Sequence, residues 1–438
     1  MSMSYPSQIE IVPLAKPPSC DVTVPGSKSI TNRALVLAAL GSWQHDCTLT
    51  GVLRSEDTEV MVAGLRQLGF LVETDWPTVR VRKHSGDRIV PNTTADIDVQ
   101  NSGTTMRFLT ALCALGEGRY RIDGIPRMRE RPIEDLLLAL RECGVNAFSE
   151  ARNGCPPVVI ESKGLTGEGA AIRGGTSSQF VSALLMVAPH NERGCLGFGI
   201  RLDGPLVSEP YVRMTEQMML AWGATWRFDA PTRTYTFDFD SRAEYVGPDE
   251  YAIEPDASAA SYFWAAAAIT GGHVTVRGLT RKSLQGDVAF VDALAQMGCR
   301  VEECDSGITV HGKPLHGVDV DMNAISDTVM SLGAVALFAE GPTTIRNVAH
   351  IRHKETDRIA ALATELRKLG AEVEERDDGL TITPRPLKGC AVDTYNDHRM
   401  AMSLALVGLK VPGVVIRNPG CVAKTYPGFW QDLEKLRA

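Results

Sequence analysis

The sequence lacks several features that would have settled its class at once. Its 438 residues contain no CxxC pair and no Cys/His spacing suited to a metal, although ten cysteines run from Cys20 to Cys421. Thiols scattered in this way read as buried side chains in a reducing compartment. His350 and His353 stand three apart with no third ligand nearby in sequence, so no metal is expected there. Positive charge is also short. A formal net charge of −8 argues against a nucleic-acid binder, which relies on a basic surface to displace counterions. Met1 to Pro18 shows no basic segment leading into an apolar one, and no apolar run approaches the ~18 residues that span a bilayer. A soluble, cytoplasmic protein is expected. There is no Gly-x4-Gly-Lys-Ser/Thr phosphate loop, no Gly-x-Gly-x-x-Gly turn into a helix, and no Gly-x-Ser-x-Gly elbow.

At this length two domains are the natural expectation, because one hydrophobic core rarely keeps growing so far. Hydrophobic residues at 44% and charged residues at 22% describe an ordinary globular chain. What stands out is repetition. Six times a short segment of small or polar residues opens into an apolar stretch of helical length. The segments begin at Pro25, Asn101, Gly174, Pro255, Ser326 and Asn396, at steps of 76, 73, 81, 71 and 70 residues. Such a period marks an internally repeated architecture.

After each apolar stretch comes a β-rich run such as HDCTLTGV, GRYRIDGI or GGHVTVRGL. In the earlier units an amphipathic helix follows and ends near a glycine, as in EDLLLALRECG and TELRKLG; the sixth stops inside it, at FWQDLEKLRA. Six mixed α/β modules divide most simply into two domains of three. Ser241–Glu254, with Gly247-Pro248, is the candidate crossing between them. The first helix of each module is apolar nearly all round and should be buried.

A buried helix whose first turn carries Ser, Thr, Gly or Asn points free N–H groups and a partial positive charge at one end, which suits an anion. The plainer reading is N-capping by those same residues. Cations tip the balance: Lys28, Arg33, Arg107 and Arg399 fall within about a turn of these starts. Two further stretches are basic for an acidic chain, Arg127-Met128-Arg129-Glu130-Arg131 and Arg352-His353-Lys354-Glu355-Thr356-Asp357-Arg358, and Lys424 precedes the last helix. A solvated face is the usual meaning of such runs. Arginine nevertheless suits planar recognition of phosphate and carboxylate. Small anions held by several separate loops are expected.

The strings PGSKSITNRAL, NSGTTMRFL, RMRERPI, SSQFVSALL, LVSEPYV, SDTVM, KETDR, YNDHRMAMS and AKTYP, in that order, resemble EPSP synthase over essentially the whole chain. The resemblance implies an α/β (α+β) fold of two similar domains. Each would hold three βαβαββ units around buried helices, like an α/β barrel turned inside out. The chain would start in one domain, make the other whole and return, giving domains 1–22 plus 254–438 and 26–247, with crossovers near 20–26 and 247–255. The implied reaction moves the enolpyruvyl group of phosphoenolpyruvate to the 5-hydroxyl of shikimate 3-phosphate and releases phosphate. No cofactor or metal, nucleic acid or membrane is involved, monomer is the family expectation, and glyphosate is expected to compete with phosphoenolpyruvate.

By the same resemblance Asp327 accepts the hydroxyl proton with Lys354 beside it. Glu355 and Lys28 manage protonation at the methylene carbon, and His398 is a further candidate. Phosphoenolpyruvate is held by Lys28, Gly103, Thr104, Arg131, Gln179, Arg358, Arg399 and Lys424. Gly103 is expected there because a side chain would obstruct a small ligand against the backbone. Shikimate 3-phosphate is held by Lys28, Ser29, Arg33, Ser177, Ser178, Gln179, Ser208, Tyr211, Asp327 and Lys354. The residue at 350 is histidine where some relatives carry an asparagine that touches shikimate 3-phosphate, so that contact does not transfer. Two alternatives remain: the enolpyruvyl transferase acting on a UDP-linked amino sugar, and a non-catalytic anion-binding protein. The first usually has a cysteine loop before its Arg-Pro helix start, and none precedes Arg131-Pro132.

Overall fold

A computed structural model describes residues 5–191, 197–237 and 245–437. The start of the expected crossing, 241–244, and one of the ten cysteines, Cys195, lie outside the described residues. The chain divides into two compact units, Ser27–Ile253 and Met1–Gly26 with Glu254–Ala438.

The module is clearest in the middle of the first unit. Strand Thr94–Asp98 leads into helix Gly103–Cys113, strand Glu117–Asp123, helix Glu134–Glu142 and the strands Asn146–Ser149 and Val158–Lys163. Its first two strands pair in parallel, and the hairpin folds back antiparallel beside the second. Gly144 ends the outer helix in the left-handed region, at φ 88°, as the glycine that closes LRECG leads one to expect. Helix Arg358–Lys368 ends the same way at Gly370, φ 113°. Gly169–Gly174 to Thr234–Phe237 repeats the order around helix Ser178–Val187. The sheets are open, and among the described residues none closes into a barrel.

Two modules are completed from a distance. Cys47–Thr50, which follows helix Lys28–Gly41, takes its parallel partner from Glu250–Ala252, some 200 residues later. His273–Arg277, which follows helix Ala257–Thr270, takes its partner from Ser19–Val22. Each strand thus precedes one inner helix along the chain and joins the sheet of another. The sixth module, cut short in sequence, is closed by Gln8–Ile11 lying antiparallel on Val414–Arg417.

In the unit that carries the termini the inner helices are Ala257–Thr270, Val329–Ala336 and His398–Gly408, packed on one another. They are buried almost throughout, as all-round apolar helices must be. Small side chains let them approach closely. The Ser331 hydroxyl sits 3.0 Å from that of Ser261 and 3.3 Å from that of Ser403, one serine from each helix. Trp264 fills the outer side, fully buried, its indole N–H donating to the carbonyl of Ile308 at 3.0 Å. Truncating such a side chain to alanine costs about 3–5 kcal/mol.

Candidate active site

The helix starts behave first as capped ends. Ser27, Ser102 and Ser177 accept from the backbone N–H of Ile30, Thr105 and Gln179, and Asp256 and Asp397 do the same for Ala259 and Arg399. Ser178 is the first helical residue rather than a cap. Asp327 departs from this pattern. Ser326-Asp327-Thr328 lie in a 3-10 run, Asn323–Thr328, and helix Val329–Ala336 has no side-chain cap, so the carboxylate of Asp327 is turned to other partners.

Those partners are cations. Asp327 Oδ2 accepts from Arg399 Nη2 at 2.7 Å and Oδ1 from Arg358 Nη1 at 3.2 Å, with Lys354 Nζ at 3.9 Å. Arg358 is itself buried and divided among three carboxylates. Its Nη2 donates to Glu355 Oε2 at 2.9 Å and its Nε to Asp397 Oδ2 at 2.8 Å. Lys424 Nζ stands 3.8 Å from Glu355 Oε1. Desolvation alone would lower the Arg358 titration; the carboxylates of Asp397, Glu355 and Asp327 outweigh it and hold the guanidinium charged. Asp327 and Glu355 are therefore oriented by the same rigid fork.

Asp397 is a residue that sequence reasoning missed. It caps helix His398–Gly408 and anchors Arg358, and its place in the string YNDHR was the available signal. The turn before it is strained: Tyr395 and Asn396 both have left-handed backbones, at φ 54° and 55°. Tyr395 is tied down by donating to the buried carboxylate of Glu365 at 2.7 Å. His398 is almost wholly buried, and desolvation pushes its titration well below 6.5, with Glu355 pulling the other way. Its imidazole is neutral near pH 7. His350 is likewise buried, lowered to about 4 by desolvation and then by Lys354.

The other unit carries its own set. Lys28, first in its helix, pairs with the buried carboxylate of Asp57 at 3.3 Å. Asp57 was also missed; its signal is the acidic first turn of helix Glu56–Gln67. Ser29 turns its carbonyl toward Arg33 Nη1 at 3.0 Å. Among the described residues the hydrogen-bond partners of the buried Arg33 guanidinium are neutral. Its Nε donates to Thr215 Oγ1 at 2.7 Å, and its Nη2 to Ser182 Oγ at 3.2 Å and the Tyr211 carbonyl at 3.1 Å. The ring of Phe108 lies 5.2 Å from the guanidinium and that of Tyr211 5.9 Å. Burial lowers this arginine to about 10, which still leaves it charged near pH 7. Ser208, in a left-handed conformation, begins the helix that carries Tyr211.

Gly103 and Arg131 belong together. A Cβ on Gly103 would lie 2.5 Å from Nη2 of Arg131 and 2.8 Å from its Cζ. The space beside Gly103 is thus occupied by a guanidinium of this same unit, a more specific reason for glycine than clearance for a ligand. Arg131 Nη1 donates to the Asn101 carbonyl at 3.3 Å. Arg107 fastens the loop by donating to the carbonyls of Gly103, at 3.2 Å, and Pro132, at 2.8 Å. Gln179 Nε2 donates to Thr104 Oγ1 at 3.3 Å. The remaining basic residues of the two runs are structural: Arg127 pairs with Glu130, Arg129 with Asp123, and Arg352 with Asp357 and Glu375.

Among the described residues no group of three or more His, Cys, Asp or Glu is placed to hold a metal ion, and no helix is long and apolar enough to cross a membrane. The chain matches the family of EPSP synthase (3-phosphoshikimate 1-carboxyvinyltransferase) over residues 15–433. It is 45% identical over 432 residues to the 3-phosphoshikimate 1-carboxyvinyltransferase of Nostoc punctiforme, covering 98% of this chain and 99% of that one. With the enzyme of the same name from Aeromonas salmonicida it is 44% identical over 418 residues, 95% of this chain and 96% of that one. An EPSP synthase structure from Acinetobacter baumannii shares the fold at TM-score 0.78 and 24% identity, over 98% of both chains. The enolpyruvyl transferase NikO from Streptomyces tendae shares it at TM-score 0.75 and 22% identity, over 98% of this chain and 97% of that one. Family match and whole-length identity agree, and the chain belongs to the EPSP synthase (3-phosphoshikimate 1-carboxyvinyltransferase) family.

Proposed function

We propose that the protein transfers the enolpyruvyl group of phosphoenolpyruvate to the 5-hydroxyl of shikimate 3-phosphate, yielding 5-enolpyruvylshikimate 3-phosphate and phosphate, a step toward chorismate and the aromatic amino acids. The observation that carries this reading at the site is the pair of carboxylates, Asp327 and Glu355, bound to the one buried guanidinium of Arg358. The reaction needs such a pair. As the hydroxyl oxygen attacks the enol carbon it loses a proton, and the neighbouring methylene carbon gains one. The tetrahedral adduct then expels phosphate, and the methyl group returns a proton. A positioned acid or base contributes about 10²–10⁴-fold to a step of this kind.

In this assignment Asp327 takes the hydroxyl proton with Lys354 beside it, and Glu355 and Lys28 serve the methylene carbon. His398, neutral near pH 7, has no proton to spare as an imidazolium and ranks behind them. Phosphoenolpyruvate is held by Lys28, Gly103, Thr104, Arg131, Gln179, Arg358, Arg399 and Lys424. Shikimate 3-phosphate is held by Lys28, Ser29, Arg33, Ser177, Ser178, Gln179, Ser208, Tyr211, Asp327 and Lys354. Arg33, charged and bonded among the described residues to neutral acceptors, supports an anion site, since a ligand's negative charge would balance it. The two compact units are read as the two domains, and the protein as a cytoplasmic monomer that glyphosate inhibits in competition with phosphoenolpyruvate.

The test is phosphate release from phosphoenolpyruvate with each acceptor in turn. Release is expected with shikimate 3-phosphate and not with UDP-N-acetylglucosamine. Release only with the sugar nucleotide, or with neither, refutes the reading.

A further inference from the structure

One buried carboxylate near this site has no part in the mechanism above. Asp287 lies in the short Gly286–Ala289 turn and is only 2% exposed, too little to be a solvated surface charge. It faces Ser258, in the first turn of helix Ala257–Thr270, whose hydroxyl donates to Asp287 Oδ2. The same hydroxyl oxygen accepts from Arg399 Nη2 at 3.4 Å, and that nitrogen also donates to Asp327 Oδ2 at 2.7 Å. An ionised carboxylate only accepts and a guanidinium only donates, whereas a hydroxyl does both. With Asp287 ionised, Ser258 spends its one proton on the acid and must present a lone pair to the arginine.

We infer that Asp287, acting through Ser258, is a positioning device for Arg399, an anchor that adds to Asp327 in fixing the orientation of the guanidinium. The inference rests on the proposed role of Arg399 in holding phosphoenolpyruvate. Its surroundings fit. Gln285, two residues before Asp287, accepts from the Ala257 backbone N–H at 2.9 Å and donates to the Pro255 carbonyl at 2.6 Å, so the turn is fastened to the start of the helix that carries Ser258. Tyr262, one turn further along, accepts from Arg399 Nη1 at 3.4 Å. Asp287 titrates near 6, raised first by burial and then by the charge of Asp327, while Arg399 draws it back down. The two acids thus repel each other, and the arginine near both offsets part of that repulsion.

The experiment measures KM for each substrate and kcat in Ser258→Ala, Asp287→Ala, Ser258→Thr and Arg399→Ala, with thermal unfolding of each. Loss of one anchor on a charged hydrogen-bonding group is expected to raise KM for phosphoenolpyruvate about tenfold or more. KM for shikimate 3-phosphate should move less, within about threefold of the parent, because Asp327 keeps its bond to Arg358 when Arg399 is loosened. Ser258→Thr keeps the hydroxyl and should restore the parent value. If Arg399→Ala raises KM for phosphoenolpyruvate but Ser258→Ala and Asp287→Ala do not, the relay is overturned. It is equally overturned if both KM values rise together with a lowered unfolding temperature, since that is merely a structural role. If Arg399→Ala itself leaves KM for phosphoenolpyruvate unchanged, the assignment of Arg399 falls first and the inference with it.

Discussion

Replacing Gly103 by alanine adds one methyl group, and its consequence follows from where Arg131 lies. The new carbon would be placed 2.5, 2.8 and 2.9 Å from Nη2, Cζ and Nη1 of that guanidinium. Carbon atoms settle at about 3.5–4.0 Å from their neighbours, so the arginine has to retreat by roughly 1 Å. It is the flexible end of a side chain and it will go, stretching or breaking its 3.3 Å bond to the Asn101 carbonyl. The fold itself should tolerate the change, because Gly103 is the first residue of a helix, where alanine is no worse a helix former than glycine. The damage falls on anion binding. A charged hydrogen bond is worth about 1.5–3 kcal/mol, which is about 10–100-fold in affinity. Steady-state kinetics of Gly103→Ala should therefore show KM for phosphoenolpyruvate raised by about that factor, with an unfolding temperature near or above the parent's. A double-mutant cycle supplies the sharper test. Once Gly103→Ala has displaced the guanidinium, Arg131→Ala should cost much less than it does alone. Fully additive effects of the two substitutions would show that Gly103 acts independently of Arg131 and would refute the reasoning.

Three further outcomes are expected. Thr215→Val removes the nearest acceptor from the buried Arg33 and should lower stability to urea by about 1–3 kcal/mol, the penalty for an unmet charged donor; a change under 0.5 kcal/mol would mean that water or Ser182 replaces it. Asp287 titrates higher in the folded protein, near 6, than the 3.8 of an exposed aspartate, so the native state binds the extra proton and stability falls as pH rises between those values. Asp287→Asn removes that slope, and its stability relative to the parent should rise between pH 4 and pH 7 by roughly 2 kcal/mol, measured by urea unfolding at each pH. His398, held neutral by burial, should show no titration by proton NMR between pH 5.5 and 8; a transition near 6.5 would return it to the list of acids.

The candidate site was legible in part because its residues sit in short strings that the chain keeps together. Gly103, Lys28 and Arg399 stand at or beside the start of an inner helix, and Arg358 at the start of an outer one, where local periodicity and capping chemistry point. The partners of those residues were not legible. Asp57 meets Lys28 across 29 positions, Asp397 meets Arg358 across 39, and Thr215 meets Arg33 across 182. No local pattern encodes such pairs, because side chains far apart in sequence meet only once the helices between them have packed. Nor did proximity of charge say what each cation does: Arg129 and Arg131 are two residues apart, yet one serves Asp123 on a strand and the other lies against Gly103.

Repetition was set by the sequence alone. Six apolar helices at near-constant spacing, each followed by β-rich segments, determine mixed α/β modules with buried helices, since an all-round apolar helix is stable only inside a core. Tertiary structure decided how the modules are completed. Ser19–Val22 comes just before helix Lys28–Gly41 but pairs with His273–Arg277, and Glu250–Ala252 comes just before helix Ala257–Thr270 but pairs with Cys47–Thr50. Strand pairing is made by backbone groups that every residue carries alike, so an edge strand's sequence does not name its partner. Which sheet it joins depends on which side chains it buries and on where the chain has been carried in between.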